Sequence, residues 1–269
     1  MGEGGLTKIL IDGAPPTQDD LAYLAMVNYG AFTSFRVESG GVRGLDRHLA
    51  RLDASAVALF GEPVAEMRLR ELIRLAVEGR DACWLRISLF SPEVLARSPS
   101  RRGPPKVMTA VSPPPSPLAD TLRVMAQVHA RHLPEIKHTA TLDLIHARRV
   151  AREAGFDDAL FIDADGVISE GCTWNIGFVK DDRVTWPQAP MLAGVTQGLI
   201  EDGLASVGLT SVTRPVRIAD LPDFDSAFIC NSTTPACAVT AIEDHALKND
   251  PALIGRLQAA WTSNPPEAI

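Results

Sequence analysis

Apolar positions along the chain recur with two periods, and the period decides which element each run can form. Alternation in LTKILIDG, CWLRISLF and LRVMAQV predicts strands, because successive side chains of an extended backbone point to opposite faces. Leu45, Leu49, Leu52 and Val57 fall at helical spacing in LDRHLARLDASAVALFG, and RLRELIRLAVEG repeats that spacing. AFTSFRVESGGVRGL reads as a hairpin around Gly40-Gly41, and DALFIDADGVISEG as two strands around Asp165-Gly166. TLDLIHARRVAREAG predicts a helix closed by Gly155. GVTQGLIEDGLASVG predicts a second, opened by Gly194 and Thr196. SAFICNSTTPACAVTAI reads as strand, polar loop and strand, and TSNPPEAI as a loose tail.

One stretch fits neither period. VSPPPSPLAD carries Pro113, Pro114, Pro115 and Pro117, which exclude a helix interior or a central strand. Residues 113–118 are therefore expected to form a stiff linker between a small α/β domain, 1–112, and a larger domain, 119–269. The mixture of strands and helices places the chain in the α/β (α+β) class.

Composition narrows the function without naming it. With 46% hydrophobic and 22% charged residues the chain is an ordinary globular protein, and a formal net charge of -7 with scattered Lys and Arg argues against a nucleic-acid surface. Cys83, Cys172, Cys230 and Cys237 have no CxxC spacing, so neither a metal site nor a disulfide framework is expected. No apolar run reaches membrane-spanning length, and MGEGGLTKILIDG lacks a leader pattern, so a soluble cytoplasmic protein is expected.

Candidate chemistry begins in LPEIKHTATLDLI. Of the five lysines only Lys137 lies between an apolar approach and small residues at a helix start. Partial burial there would disfavour the ammonium and leave a nucleophilic amine; the alternative is a structural lysine. Glu170, amid apolar strands in ISEGCTWNIGF, needs a cationic partner, such as a pyridinium nitrogen, unless it faces solvent at a hairpin end. Gly194, Val195 and Thr196 open a helix whose free N–H groups favour an anion, although Thr196 also reads as a plain cap. Ser232, Thr233 and Thr234 form a hydroxyl cluster, and Arg51 offers a charge-assisted partner; a loop and a solvated arginine are the plain alternatives.

Four segments in order make a stronger signal than any one of them. FTSFRV with RHLARL, IKHTATLDLIHARRVAREAGFDDALFIDADGVISEG, WNIGFVKDDRVTWP and MLAGVTQGLI together resemble the class IV aminotransferases, from about Tyr29 to about Ile242. These are the fold-type IV pyridoxal phosphate enzymes, including branched-chain and D-amino acid aminotransferases and aminodeoxychorismate lyase. The resemblance implies a small α/β domain, a larger domain with a barrel-like sheet, pyridoxal 5'-phosphate between them, and a homodimer. Lys137 stands where the family has its Schiff-base lysine, and Glu170 where a glutamate pairs with the pyridine nitrogen. Arg51, Val195 and Thr196 match the phosphate contacts, with Thr233 and Thr234 about where a further one is expected.

The substrate is less legible. Branched-chain and D-amino acid enzymes carry a glutamate where this chain has Thr33, and branched-chain enzymes a tyrosine that TATLD lacks. FT followed by RV, and IKH, stand closer to the lyase, whereas GCTWN and the NSTTPACAV loop depart from it. Tyr29, Arg86 and Trp174 are the candidate substrate contacts, with Arg101 or Arg102 as further carboxylate partners. The expected reaction moves an amino group between an amino acid or amine and a keto acid, with Lys137 as the base. Alternatives are carbon-carbon cleavage releasing pyruvate and, third, a non-catalytic binding protein on the same fold.

Overall fold

In the computed structural model, which describes residues 8–269, most strand pairing belongs to two sheets. Leu6 and Thr7 of the first expected strand, and the residues before them on which the leader reading rests, lie outside the described residues. The first sheet is built from β1 (Lys8–Ile11), β2 (Gly30–Glu38), β3 (Gly41–Val42), β4 (Ala82–Phe90) and β5 (Lys106–Ser112). Between them come α1 (Gln18–Met26), α2 (Leu45–Phe60) and α3 (Glu66–Val77). The spatial order is β1-β5-β4-β2-β3, antiparallel throughout, with β2 against β4 from Gly30↔Phe90 to Glu38↔Ala82.

The expected hairpin closes at Ser39-Gly40, where Gly40 adopts φ 72°. Strand alternation then sorts the side chains of β2. Ala31, Phe35 and Val37 are buried with Leu85, Ile87 and Leu89 of β4 and with the apolar stripes of α2 and α3. Phe32, Ser34 and Arg36 take the opposite face and are only partly buried.

The second sheet is mixed. It comprises β6 (Thr121–Val128), β7 (Asp158–Ile162), β8 (Ile168–Gly171), β9 (Asn175–Lys180) and β10 (Arg183–Pro187), followed by β11 (Thr210–Arg214), β12 (Ser226–Cys230), β13 (Cys237–Ile242) and β14 (His245–Ala246). The order is β11-β10-β9-β12-β13-β6-β7-β8, with β14 paired to β13. Parallel pairs at β10/β11, β13/β6 and β6/β7 require crossovers, and α4 (Leu142–Glu153) and α5 (Val195–Gly203) lie on two of them. The sheet curls into a half-barrel, bringing β8 near β10. Trp174, Ile176, Phe178 and Val239 fill one core, while Trp186, Phe228 and α5 pack with α6 (Pro251–Thr262) in another. The helix α6 starts where Asp250 caps the Leu253 N–H at 3.1 Å and Pro251 occupies the first turn.

The C-terminal tail corrects its expected looseness. β15 (Glu267–Ala268) pairs with β3, and Arg70 Nη1 and Arg74 Nε donate to the carbonyls of Ala268 and Ile269 at 3.0 and 2.9 Å. Pro266–Ile269 therefore belongs to the first of two compact units, with Met1–Ser116 and Ile136–Ala140. The second takes Pro117–Glu135 and Thr141–Pro265. Among the described residues no helix is long and apolar enough to cross a membrane, and no group of three His, Cys, Asp or Glu is placed to hold a metal ion. All four cysteines are buried free thiols.

Candidate active site

Lys137 owes its place to a short piece of β pairing. The Phe32 N–H donates to the Lys137 carbonyl and the Thr139 N–H to the Gly30 carbonyl, both at 2.8 Å, and Ala31 bridges His138. The Thr139 hydroxyl adds a 2.6 Å bond to the Asn28 carbonyl. Extended geometry separates the neighbouring side chains, so Ile136 enters the first core while the Lys137 ammonium lies 5.0 Å from the centre of the Phe32 ring. The same ring lies 3.6 Å beneath the Arg86 guanidinium. Register explains this contact: Phe32 is opposite Ser88 and Ser34 opposite Arg86, and Arg86 Nε donates to the Ser88 hydroxyl at 3.2 Å. Burial lowers the Arg86 pKa from its ordinary value.

On the helix-facing side of β2, Thr33 is fully buried against α2. Its Oγ1 lies 2.6 Å from His48 Nδ1 and accepts from Arg51 Nη2 at 2.6 Å. His48 and Arg51 are one turn apart, so they share a helix face. No carboxylate joins them: among the described residues, the Arg51 guanidinium is bonded only to Thr33 and His48. Its Nε is buried without a partner, and burial lowers the Arg51 pKa to about 10. His48 is driven well below the usual histidine range, first by burial and then by the charges of Arg51 and Lys137. Arg51 is legible in the sequence, whereas His48 is not. The available signal was the three-residue spacing to Arg51, joined to the buried position of Thr33 in the β2 alternation.

In the second unit, Glu170 sits on β8 and is buried. Arg131 Nη1 donates to its Oε1 at 3.1 Å, with side-chain exposures of 7% and 6%. This cation, also missed in the sequence, supports an ionised carboxylate in a poorly solvated place. Val195 and Thr196 begin α5, whose N-cap, Gly194, provides no side-chain hydrogen bond. A Cβ at Gly194 would meet Asn175 Oδ1 at 2.0 Å, so glycine is required for the strand β9 to approach the helix start. Asn175 fixes that approach by donating to the Leu192 carbonyl at 2.9 Å.

Other candidates have more local employment. Asn231 Oδ1 accepts from the N–H groups of Thr233 and Thr234 at 3.0 and 2.9 Å and from the Thr233 hydroxyl at 2.8 Å. Thr234 Oγ1 accepts from the Leu118 N–H at 2.9 Å. Trp174 is 2% exposed and donates to Asp158 at 2.8 Å, an acid also held by Arg148. Its ring is core packing in the second unit. Tyr29 is partly exposed and donates to the Leu59 carbonyl at 3.3 Å. Arg101 and Arg102 are exposed.

The family model for amino-transferase class IV matches residues 30–242. A putative branched-chain-amino-acid aminotransferase of Methanocaldococcus jannaschii is 27% identical over 233 residues, 82% of this chain and 81% of that protein. The D-alanine aminotransferase of Bacillus licheniformis is 24% identical over 234 residues, covering 80% of this chain and 79% of its own. The fold is similar to that of a hypothetical aminotransferase from Mycobacterium tuberculosis in its pyridoxal phosphate-bound form, with TM-score 0.78, 22% identity and coverage of 97% of this chain and 100% of that one. Most of the chain, including the segments bearing Lys137, Glu170 and Arg51, thus lies inside one family match, and the protein belongs to the class IV aminotransferases.

Proposed function

We infer that this chain is a pyridoxal phosphate-dependent aminotransferase, moving an amino group between an amino acid or amine and a keto acid. One observation carries the reading within the first unit: Lys137 accompanies a partly buried arginine, Arg51, that has no carboxylate partner among the described residues. A desolvated guanidinium is costly without an anion, and the cofactor phosphate fits that requirement. The uncapped start of α5 offers further donors for a phosphate, and Glu170 beside Arg131 offers an anionic acceptor for a protonated ring nitrogen. These residues fit the cofactor in both charge and donor type.

Lys137 is assigned as the covalent anchor and, when its amine is free, as the base that takes the proton from the substrate α-carbon at Nζ. The bound pyridine ring supplies the sink for the electron pair left at that carbon. By the family resemblance, Glu170 would keep the ring nitrogen protonated, and Arg51, Val195 and Thr196 would be phosphate contacts, with Thr233 and Thr234 as lesser ones. Arg86 is the substrate-carboxylate candidate that best fits, because its guanidinium shares the Phe32 ring with Lys137. Tyr29 remains a candidate substrate contact, whereas Trp174 is assigned to support the fold. We further assign a homodimer in the cytoplasm, testable by light scattering and fractionation.

The decisive experiment follows the cofactor spectrum. An accepted amino donor alone should bleach the near-visible band, and a keto acid should restore it. If no donor from a panel of L-amino acids, D-amino acids and amines does so, while aminodeoxychorismate yields pyruvate and 4-aminobenzoate, the lyase reading favoured by FTSFRV and IKH replaces transfer. Borohydride reduction followed by peptide mapping should place the pyridoxyl group on Lys137. Its appearance on any other lysine defeats the site assignment.

A further inference from the structure

Proton accounting around Arg51 gives two more residues a defined job. A guanidinium only donates, so Thr33 Oγ1 must accept at the 2.6 Å contact with Arg51 Nη2. The threonine proton can then go to His48 Nδ1, also 2.6 Å away, which leaves no buried hydroxyl proton without an acceptor. Arg51 Nη2 faces the same ring nitrogen at 3.4 Å and cannot accept from it. The donor-only Arg51 Nη2 at 3.4 Å favours a lone pair on His48 Nδ1, and burial beside two cations disfavours the charged ring, so the arrangement points to a neutral imidazole with its proton on Nε2.

Both groups that hold Arg51 are thus uncharged acceptors. Thr33 is fully buried, His48 is 2% exposed, and the Phe35 ring packs 4.8 Å from the His48 ring, so neither side chain has room to swing away. We propose that Thr33 and His48 are positioning residues that grip one nitrogen of Arg51 through neutral acceptors, orienting the guanidinium while leaving its full charge for an oxyanion. A carboxylate in place of either would also orient Arg51, but it would neutralise the charge and compete with the ligand. The pair acts through Arg51 and touches no reacting atom.

This inference rests on the assignment of Arg51 to the cofactor phosphate, and the test separates the two. The full chain, freed of cofactor, is titrated with orthophosphate, pyridoxal phosphate and pyridoxal. Thr33→Val should weaken orthophosphate and pyridoxal phosphate by about tenfold, the loss of one hydrogen bond to a charged group, and leave pyridoxal unchanged. Thr33→Ser should restore both. His48→Leu should reproduce the loss and His48→Asn, which keeps an acceptor near the Nδ1 position, should recover most of it.

If Arg51→Gln leaves the preference for pyridoxal phosphate over pyridoxal intact, the phosphate assignment fails. If Arg51→Gln removes that preference but Thr33→Val and His48→Leu do not, the assignment stands and the positioning role falls. Nitrogen NMR of the unsubstituted protein provides a check that needs no variant. A neutral His48 ring protonated on Nε2 at neutral pH is expected; a charged ring, or a proton on Nδ1, overturns the proposal.

Discussion

Two arginines, one in each compact unit, meet the cost of burial in opposite ways. Arg131 has a carboxylate, Glu170, at 3.1 Å, and the two charges offset each other within the fold. Among the described residues, Arg51 has only a hydroxyl and an imidazole nitrogen, neither of them a carboxylate. The first arrangement stabilises an anion that belongs to the protein. The second leaves a cation prepared for an anion from outside. A buried charge therefore marks a ligand site more clearly when its neighbours fail to neutralise it than when they succeed.

Neither arginine performs chemistry under this assignment, so the largest effect should come from the residue that does. Lys137→Ala should lower kcat by about 10³-fold or more in amino transfer, because anchor and base are lost together. The comparison predicts that Arg51 and its holding pair remain intact in this variant. Orthophosphate affinity of the cofactor-free Lys137→Ala protein should consequently stay near that of the parent. A comparable loss in both measurements would mean that Lys137 organises the anion site instead of acting in the reaction.

Stability should separate the two arginines next. Glu170→Ala deprives Arg131 of its carboxylate in a place with little solvent, and denaturant titration should show a loss of about 3–5 kcal/mol. Arg51→Met removes a charge that no carboxylate among the described residues offsets and leaves the Thr33–His48 contact in place. Its cost should stay under about 1 kcal/mol in the cofactor-free protein, with a net gain in stability a permitted result. Equal destabilisation by both substitutions would erase the distinction between them.

How much of this was readable in advance follows from where each interaction lies in the chain. Lys137, Glu170, Val195 and Thr196 sit in contiguous segments whose order carries the family pattern, and the strands and helices around them followed from local periodicity. Arg131 and Glu170 are 39 positions apart, and only the pairing of β7 with β8 and the path leaving β6 decide that they meet. Thr33 looked like a departure from a family glutamate; its job became visible once β2 placed it against α2. The tail was misjudged for a related reason. TSNPPEAI has no periodicity of its own, and its order comes from Arg70, Arg74 and the edge of β3. Trp174 looked exposed to a ligand because no local signal announced Asp158 as the partner of its indole N–H.

The smallest expected effect tests the neutrality on which the contrast depends. His48 titrates well below the ordinary histidine range because it is buried and faces two cations, Arg51 on its own helix and Lys137 from the segment beside β2; Thr33 and the Phe35 ring complete its surroundings without charge. In the unfolded chain it should protonate near pH 6.5. Between that pH and its lower folded value the unfolded state binds the extra proton, so stability is complete above about pH 6.5 and declines as the pH falls. One proton sets the limiting slope at about 1.4 kcal/mol per pH unit. Denaturant titrations of the cofactor-free protein from about pH 7 to about pH 5 should show this decline, before most carboxylates begin to protonate. His48→Asn should lack that contribution and give the flatter profile. If the two profiles run parallel, His48 does not gain its neutrality from the folded environment, and Arg51 is not held as the comparison requires.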